Sequence, residues 1–330
     1  MKIALIGATG LVGQCMLELI DKENIAFEEL FLVASEKSRG KKICFQGKDY
    51  AVMKIQEALE QKPDIALFSA GSTLSKQWAP LFAEKGCFVI DNSSAWRSYD
   101  HIPLVVFGVN ESIIQQSEHI IANPNCSTIQ LALVLDVLHK EYGLERVVVS
   151  TYQSVSGSGM AGIEQLRKEQ NGEKSNAAYP HPIHENCLPH GGDFLENAYT
   201  TEEMKLINES RKILSLNNLA ITATVVRVPV TGGHSESVNI SFERKIDLYR
   251  IKNILAQKAE ICLMDNPQEN EYPTPLHAKG KDAVFVGRIR KDYSVENGIN
   301  LWIVGDNLRI GAATNAVRIM KHLINREYIS

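Results

Sequence analysis

The sequence predicts an α/β protein with two domains, a doubly wound parallel-sheet domain followed by an α+β domain with a mainly antiparallel sheet. At 330 residues and 44% hydrophobic content, the chain can build two cores. Over roughly the first 120 residues, short apolar runs alternate with helical patterns, as in a doubly wound sheet. From about Arg146 onward the apolar runs lengthen, which predicts the second sheet type.

The bulk composition excludes several classes of function. The net charge of -4 gives no positive surface for nucleic acid or an anionic membrane. No apolar run approaches the roughly 18 residues of a membrane span, and the N-terminus opens into a strand without a signal-peptide pattern. The six cysteines are scattered without a CxxC pair, which is typical of a reducing compartment. We therefore expect a soluble, cytoplasmic protein.

The first motif is a glycine-rich segment that follows the apolar run Lys2–Ile6 and precedes a helical pattern. Strand, glycine-rich turn and helix in this order form the Rossmann-type arrangement, in which the helix N-terminus receives the cofactor pyrophosphate. The spacing is GxxGxxG instead of the commoner GxGxxG, so a plain tight turn is the alternative. The predicted cofactor contacts in this segment are Gly7, Thr9, Gly10, Leu11, Val12 and Gly13.

The end of the second predicted strand, Leu30–Ala34, bears on the choice of cofactor. An acidic residue there favours NAD, whereas basic and hydroxyl side chains favour the 2′-phosphate of NADP. The cationic or hydroxyl-bearing residues therefore predict NADP, although Glu36 keeps NAD open; they are Ser35, Lys37, Ser38, Arg39 and Lys41. An ordinary solvated loop is the alternative.

Two further buried strands are predicted at Ile65–Phe68 and Phe88–Asp91, with a helical segment between them. Each strand ends in small or polar residues, including Gly71 after the first of them. Such ends face the crevice where ligands bind in open parallel sheets, so Gly71 is a further candidate cofactor contact.

Cys126 is the candidate nucleophile. It follows the turn-prone Asn123-Pro124-Asn125 and stands at the entrance of an apolar helical run. The positive end of a helix macrodipole favours thiolate over thiol, and the thiolate is the nucleophilic form. The alternative is a small buried residue that fills a gap in the core.

The second half predicts longer strands, with polar clusters in the loops and a last helix at about Gly311–Asn325 that folds back onto the first domain. We assign residues 1–127 to the cofactor domain, together with the helix at about 309–326. Residues 128–308 form the catalytic and dimerisation domain. The predicted strands are Val147–Tyr152, Ile221–Val228, Glu236–Phe242 and Trp302–Val304.

One loop contains four residue types that zinc accepts, His181, His184, Cys187 and His190, spaced three apart. The spacing is not the paired form of a zinc site, and three prolines stiffen the stretch. We predict a structured interface loop and no metal.

Four motifs together resemble one family. They are the glycine-rich start, the segment Asn123–Thr128, the segment Gln153–Gly157, and Arg227–Ser237, which reads RVPVTGGHSES. In this order and across nearly the whole chain, they resemble aspartate-β-semialdehyde dehydrogenase. The resemblance implies NADP-dependent, reversible reductive dephosphorylation of L-4-aspartyl phosphate to L-aspartate 4-semialdehyde. This reaction feeds lysine (through diaminopimelate), threonine and methionine biosynthesis.

The resemblance also implies roles for individual residues. Cys126 would form an acyl-thioester, His234 would be the general acid/base, and Gln153 would orient the intermediate. Arg227 would bind the substrate carboxylate through its guanidinium fork. Glu202 would bind the ammonium group, with Glu203 as the alternative. The implied phosphate ligands are Arg97, Lys205 and Asn125, and further cofactor contacts are Ser156, Gly157 and Asn307.

Two other functions remain as alternatives. N-acetyl-γ-glutamyl-phosphate reductase uses the same thioester chemistry, but its nucleophile segment reads Asn-Pro-Gly-Cys, and Asn125 argues against it. A catalytically silent nucleotide-binding paralogue would have lost the cysteine or the histidine, and this chain keeps both Cys126 and His234. The family resemblance further implies a homodimer or homotetramer.

Overall fold

The computed structural model describes residues 1–176 and 178–329. Contacts divide the chain into two units, one of Met1–Asn125 with the segment from Ala312 onward, and one of Cys126–Gly311. The boundaries predicted from the sequence were 127/128 and 308/309. Within the described ranges, no helix has the length and hydrophobicity that crossing a membrane requires.

The first unit contains a five-stranded parallel sheet in the order β2-β1-β5-β6-β7, and a separate hairpin, β3–β4. The apolar runs at 65–68 and 88–91 form strands as predicted, and the second strand runs from Glu29 to Val33. The hairpin was not predicted from the sequence. The elements are β1 (Lys2–Ile6), α1 (Leu11–Lys22), β2 (Glu29–Val33), β3 (Lys42–Phe45), β4 (Lys48–Ala51), α2 (Ile55–Glu60), β5 (Ile65–Phe68), α3 (Ser72–Ala83), β6 (Phe88–Asp91) and β7 (Ile120–Ala122).

The second unit has a six-stranded sheet in the order β11-β12-β13-β10-β8-β9. The three central pairings are antiparallel, as predicted, but the edge pairs β11–β12 and β8–β9 are parallel, so the sheet is mixed. The elements are α4 (Cys126–Tyr142), β8 (Leu144–Gln153), α5 (Gly159–Gln170), α6 (Thr201–Leu214), β9 (Ala220–Arg227), β10 (His234–Phe242), α7 (Leu248–Ala256), β11 (Ile261–Leu263), α8 (Pro275–Ala278), β12 (Val284–Asp292) and β13 (Gly298–Gly305).

The last helix, α9 (Thr314–Asn325), belongs to the first unit and begins three residues later than the predicted Gly311, after a π-type turn at Arg309–Ala313. Alternate residues of the parallel sheet enter two separate cores, as Leu5 and Leu67 do on one face and Ile6 and Phe68 on the other. Helices α1 and α9 contribute to the first of these cores. The predicted doubly wound arrangement is confirmed.

Helix α4 is the central element of the second unit. It contacts β8, β10 and β13 of the sheet and two helices, α6 and α7. Every residue from Ser127 to Asp136 is buried, because this run is apolar on nearly all sides and a helix of that kind packs inside a core. Its first residue is Cys126, so the candidate nucleophile lies at the end of a buried helix.

Candidate functional site

The glycine-rich segment forms the tight turn that the sequence predicts. Gly7 has a φ of +98°, and a Cβ there would collide with the Ser69 carbonyl oxygen. The Gly7 amide donates to the Val33 carbonyl oxygen at 2.8 Å, which ties the turn to the neighbouring strand. A Cβ on Gly13 would collide with the Gly7 carbonyl, so glycine there lets α1 pack against the turn. The result exposes the α1 N-terminus to an anionic ligand.

A cavity of about 520 Å³ lies beside this turn within the first unit. Four predicted cofactor contacts line it: Gly7, Thr9, Gly10 and Ser35. Lys37 and Ser38 lie in the 3₁₀ turn after β2, Leu11 to Gly13 form the start of α1, and Gly71 precedes α3, but none of these lines the cavity. Other lining residues were not predicted from the sequence, namely Lys54, Ile55, Gln56, Leu74 and Trp78.

Glu36 also lines the cavity, and two cations surround its carboxylate. Lys54 Nζ is 3.1 Å and Arg39 Nη1 is 3.9 Å from the same carboxylate oxygen. Arg39 in turn pairs with Glu57 at 2.6 Å. These pairs are solvent-exposed and individually weak, but they leave Glu36 partly compensated by positive charge.

In the second unit, a cluster of buried polar side chains forms around Ser154. The Ser154 amide donates to His234 Nδ1 at 3.0 Å, and its carbonyl oxygen accepts from Arg227 Nη1 at 2.7 Å. Gln153 Nε2 donates to Ser127 Oγ at 3.1 Å, next along the chain to Cys126. The structure thus brings together Gln153, Arg227 and His234, which lie far apart in sequence.

The tautomer of His234 follows from this geometry. A backbone amide can only donate, so Nδ1 is the acceptor and the neutral ring carries its hydrogen on Nε2. His234 is fully buried, and Nε2 has no hydrogen-bond partner among the described residues. Burial, followed by the charge of Arg227, holds the pKa of His234 well below its ordinary value of 6.5. At neutral pH the side chain is a hydrogen-bond donor through Nε2.

This depressed pKa predicts a specific dependence of stability on pH. As the pH falls through 6.5, the unfolded chain protonates this ring while the folded chain does not, so its contribution to stability is present above that pH and is lost below it. We expect the Tm of the native protein to fall more steeply below pH 6.5 than that of His234→Gln, measured by circular dichroism. Parallel curves for the two proteins would contradict the depressed pKa.

Arg227, at the end of β9, is also buried, and its Nε has no partner among the described residues. Its guanidinium carbon lies 5.9 Å from the centre of the Tyr179 ring. Gly157 passes so close that a Cβ would be 2.8 Å from Arg227 Nη1 and 3.2 Å from His234 Nε2. Glycine at this position therefore keeps open the space in front of both side chains.

A short loop links Arg227 with the start of α6. The Leu188 amide and carbonyl each pair with the Arg227 backbone, at 2.9 Å and 2.7 Å, and the Gly191 carbonyl accepts from the Glu202 amide. Glu202 forms an ion pair with Lys205 one turn along α6. Glu203 instead accepts from the amides of Thr200 at 2.7 Å and Val225 at 3.0 Å. The two adjacent glutamates therefore differ in role, since both oxygens of Glu203 hold backbone amides.

The remaining predicted site residues are distributed over both units. In the second unit, Ser156 Oγ donates to Asn307 Oδ1 at 3.0 Å, and both side chains are buried. In the first unit, Arg97 Nη2 donates to the Asn92 carbonyl at 2.7 Å, and Asn125 is buried. A hydrogen-bonded network holds the loop that carries Arg97, because Ser75 accepts from Trp96 and donates to Asp91.

The histidine- and cysteine-containing loop does not assemble a metal site among the described residues. His181 and Cys187 are exposed, and the His190 ring stacks on Phe194 with 4.5 Å between ring centres.

Comparison with known proteins places these features in a family. Residues 2–117 match the family described as "Semialdehyde dehydrogenase, NAD binding domain", and residues 135–310 match "Semialdehyde dehydrogenase, dimerisation domain". The chain belongs to the aspartate-semialdehyde dehydrogenase family. Full-length relatives of that name include the Aquifex aeolicus protein, 46% identical over 99% of both chains, and the Bacillus subtilis protein, 42% identical over 97% of this chain and 96% of the relative.

Solved structures agree with this family assignment. Aspartate semialdehyde dehydrogenase II from Vibrio cholerae is 45% identical, covers 98% of both chains and superposes with a TM-score of 0.94. A second structure of that enzyme, complexed with ASA, is 44% identical and has the same TM-score. The predicted family, fold class and enzyme activity are confirmed, and neither alternative function is favoured.

Proposed function

We propose that the chain catalyses the NADP-dependent, reversible reductive dephosphorylation of L-4-aspartyl phosphate to L-aspartate 4-semialdehyde through a thioester on Cys126. The observation that carries this proposal is that the two side chains beside Gly157 each keep a buried nitrogen without a partner among the described residues, Arg227 Nε and His234 Nε2. Buried donors of this kind need acceptors, and a substrate with a carboxylate and a reacting carbonyl oxygen supplies both.

The covalent steps use Cys126 twice. Its thiolate attacks the acyl carbon, so that a C–S bond forms and the C–O bond to phosphate breaks, with phosphate leaving as the anion. When bound, the nicotinamide cofactor supplies a hydride to the thioester carbon. The resulting oxyanion then expels the thiolate, which yields the aldehyde and restores Cys126.

His234 faces the oxygen that becomes negative in these steps. In the resting tautomer, Nε2–H can stabilise the developing oxyanion by a hydrogen bond inside a buried site, where such bonds are strong. General acid/base transfer through Nε2 instead requires a hydrogen on Nδ1. Nδ1 then loses the hydrogen bond that it accepts from the Ser154 amide. We propose that the ring alternates between these two states, while Gln153, anchored to Ser127, orients the intermediate.

For the substrate, we propose that Arg227 binds the α-carboxylate and Glu202 the ammonium group. The capping of α6 supports Glu202 over Glu203, because Glu203 already accepts from two backbone amides. The Glu202–Lys205 ion pair supports the same assignment. A bound ammonium group can replace Lys205 at Glu202, which leaves Lys205 available to the phosphate. The further phosphate ligands that we propose are Arg97 and Asn125.

For the cofactor, we propose NADP, held by the glycine turn and by Ser35, Lys37 and Ser38, with Ser156, Gly157 and Asn307 as further contacts. The residues of the first unit fit a dinucleotide, since a cradle at Gly7 that a Cβ would fill lies beside a 520 Å³ cavity. Lys54 adds a cation to this cavity and compensates Glu36. The predicted NAD alternative, which rested on Glu36, is weakened accordingly.

Lys54→Ala is expected to raise the KM for NADP up to about fivefold while raising the KM for NAD much less. The lysine offsets the charge of Glu36, which otherwise repels the 2′-phosphate; a solvent-exposed pair contributes at most about 1 kcal/mol, which corresponds to about a factor of five. Lys85→Ala, an exposed lysine outside the cavity, is the matched control. Equal changes in both KM values would count against the role of Lys54 in selectivity.

We further propose that the protein is a homodimer or homotetramer and that it works in a reducing cytoplasm. The match of residues 135–310 to a dimerisation domain supports the first point. The reducing compartment is supported by the cysteines: none of the six forms a disulfide in the described structure, although Cys44, Cys187 and Cys262 are exposed.

The activity itself is tested by following NADPH absorbance when the purified protein is mixed with L-aspartate 4-semialdehyde, NADP and phosphate. We expect a signal that depends on phosphate, because phosphate is the nucleophile that releases the thioester in this direction. N-acetylglutamate 5-semialdehyde is the control substrate and should give none. Turnover of the control substrate alone, or NADPH formation without phosphate, would overturn the proposed reaction.

A further inference from the structure

A carboxyl group that the mechanism above does not use lies inside the second unit. Glu236 is fully buried on β10, two residues after His234. Alternate residues of a strand point to the same face, so Glu236 lies on the His234 face of the sheet. Neither of its carboxyl oxygens makes a hydrogen bond of good geometry with the described residues. A buried acid without such bonds is costly and calls for an explanation.

The side chain against Glu236 comes from the helix that begins with the nucleophile. Gln130 lies four residues after Cys126, on the same side of α4. Its side-chain amide lies against the Glu236 carboxyl, and its Nε2 is 3.5 Å from the His234 carbonyl oxygen. Gln130 therefore contacts β10 at two points, of which one is the backbone of His234 itself.

These groups form a second polar layer next to the reacting one. The first layer, which holds the reacting groups, contains Gln153, His234 and Ser127. The next inward-facing residue on each strand, Thr151 on β8 and Glu236 on β10, belongs to the second layer. Thr151 is the register partner of Glu236 on β8, and its buried hydroxyl also lacks a partner in the described structure. The second layer thus joins α4, β8 and β10 next to the reacting groups.

The environment of Glu236 favours the neutral acid. Burial raises its pKa well above its ordinary value, with the Gln130 amide opposing this. Its register partners are uncharged, Thr151 on β8 and Ile303 on β13. Among the titratable groups on the packed elements, His234 is neutral, Asp136 on α4 is paired to Lys140, and Glu145, Arg146 and Tyr152 on β8 are exposed. A neutral acid offers an amide both a donor and an acceptor, whereas a carboxylate offers only acceptors.

We propose that Glu236, as a neutral carboxylic acid, is a positioning residue that acts through Gln130 to hold the first turn of α4, and with it Cys126, in register with the strand of His234. In this arrangement Gln130 Nε2 donates toward the Glu236 carboxyl and to the His234 carbonyl oxygen. The pairing fixes the nucleophile relative to the oxyanion donor. It therefore affects the reacting geometry and not the affinity for substrate.

The test compares Glu236→Gln, which keeps a donor and an acceptor in the same shape, with Glu236→Leu, which removes both. We expect Glu236→Gln to keep kcat within about threefold of native, with an unchanged pH profile, because a neutral amide reproduces a neutral acid. In Glu236→Leu we expect kcat to fall about 10- to 100-fold with KM within about twofold, since small misplacements of reacting groups have effects of this size. The change measured is phosphate-dependent NADPH formation.

Gln130→Leu removes the other partner of the same contact, the one on α4. It tests the proposal even if Glu236→Leu does not fold. We expect it to reproduce the loss of kcat, and we expect the double variant, where folded, to be no worse than either single variant, as for two partners in one interaction. Loss of activity in Glu236→Gln equal to that in Glu236→Leu, full kcat in Gln130→Leu, or a loss expressed in KM would each overturn the proposal. The inference rests on the proposed roles of Cys126 and His234; a failure of those roles would appear in variants of Cys126 and His234 themselves.

Discussion

Cys126→Ala is expected to abolish NADPH formation from L-aspartate 4-semialdehyde and phosphate, with kcat lower by about 10⁴-fold or more. Removing the nucleophile of a covalent mechanism removes the pathway itself, and losses on the order of 10⁴- to 10⁶-fold are typical. The fold should persist, because Cys126 is the first residue of α4 and alanine is a good helix former. The measurement is a steady-state assay with circular dichroism on the same samples.

Cys44→Ala provides the matched control, since Cys44 is an exposed cysteine on β3. We expect native kcat and KM for this variant. Mass spectrometry of the native protein quenched with acid during turnover should find the aspartyl adduct on the peptide that contains Cys126. Activity that survives in Cys126→Ala would eliminate the thioester mechanism.

Arg227→Leu is the second substitution with a large expected effect, a fall in kcat/KM of roughly 10³-fold. A guanidinium makes two charge-assisted hydrogen bonds to a carboxylate, each contributing about 1.5–3 kcal/mol, and about 4 kcal/mol corresponds to 10³. Arg227→Lys keeps the charge but loses the fork, so an intermediate loss is expected, mainly in the KM for the semialdehyde. Steady-state kinetics with varied semialdehyde distinguish these outcomes.

Arg250→Leu is the control, because this exposed arginine forms a surface pair with Glu141. An unchanged KM for the semialdehyde in Arg227→Leu would contradict the assignment of the carboxylate. A loss confined to kcat would indicate that Arg227 acts on His234, whose pKa its charge lowers.

The sequence predicted the parts of the fold that local patterns encode. Continuous apolar runs such as Ile65–Phe68 became buried parallel strands, and the glycine spacing became the turn before α1. The mixed sheet of the second unit was predicted less completely. Parallel pairing of the edge strands β9 and β11 depends on where distant segments return to the sheet, and no local pattern records that.

In the candidate site, too, the residues within local motifs were predicted and those brought in by the fold were not. Cys126, Gln153, Arg227 and His234 stand in recognisable motifs, and the last three share one cluster around Ser154. Lys54 was missed because no motif surrounds it, and only the fold brings it to the cofactor cavity.

Glu236 was missed for a different reason. A glutamate among serines on a strand usually indicates a solvent-facing position. Only the register of β10 against β8 and β13 shows that its side chain is on the inward face.

The burial of α4 has a consequence for how the protein loses activity. Local openings that start in loops involve few buried contacts, whereas a segment enclosed on all sides opens only when its whole cooperative unit does. Every residue from Ser127 to Asp136 is enclosed, so the helix that carries the half-buried thiol of Cys126 is anchored in the core directly behind it. We therefore expect denaturation to abolish activity in the same transition that unfolds the second unit.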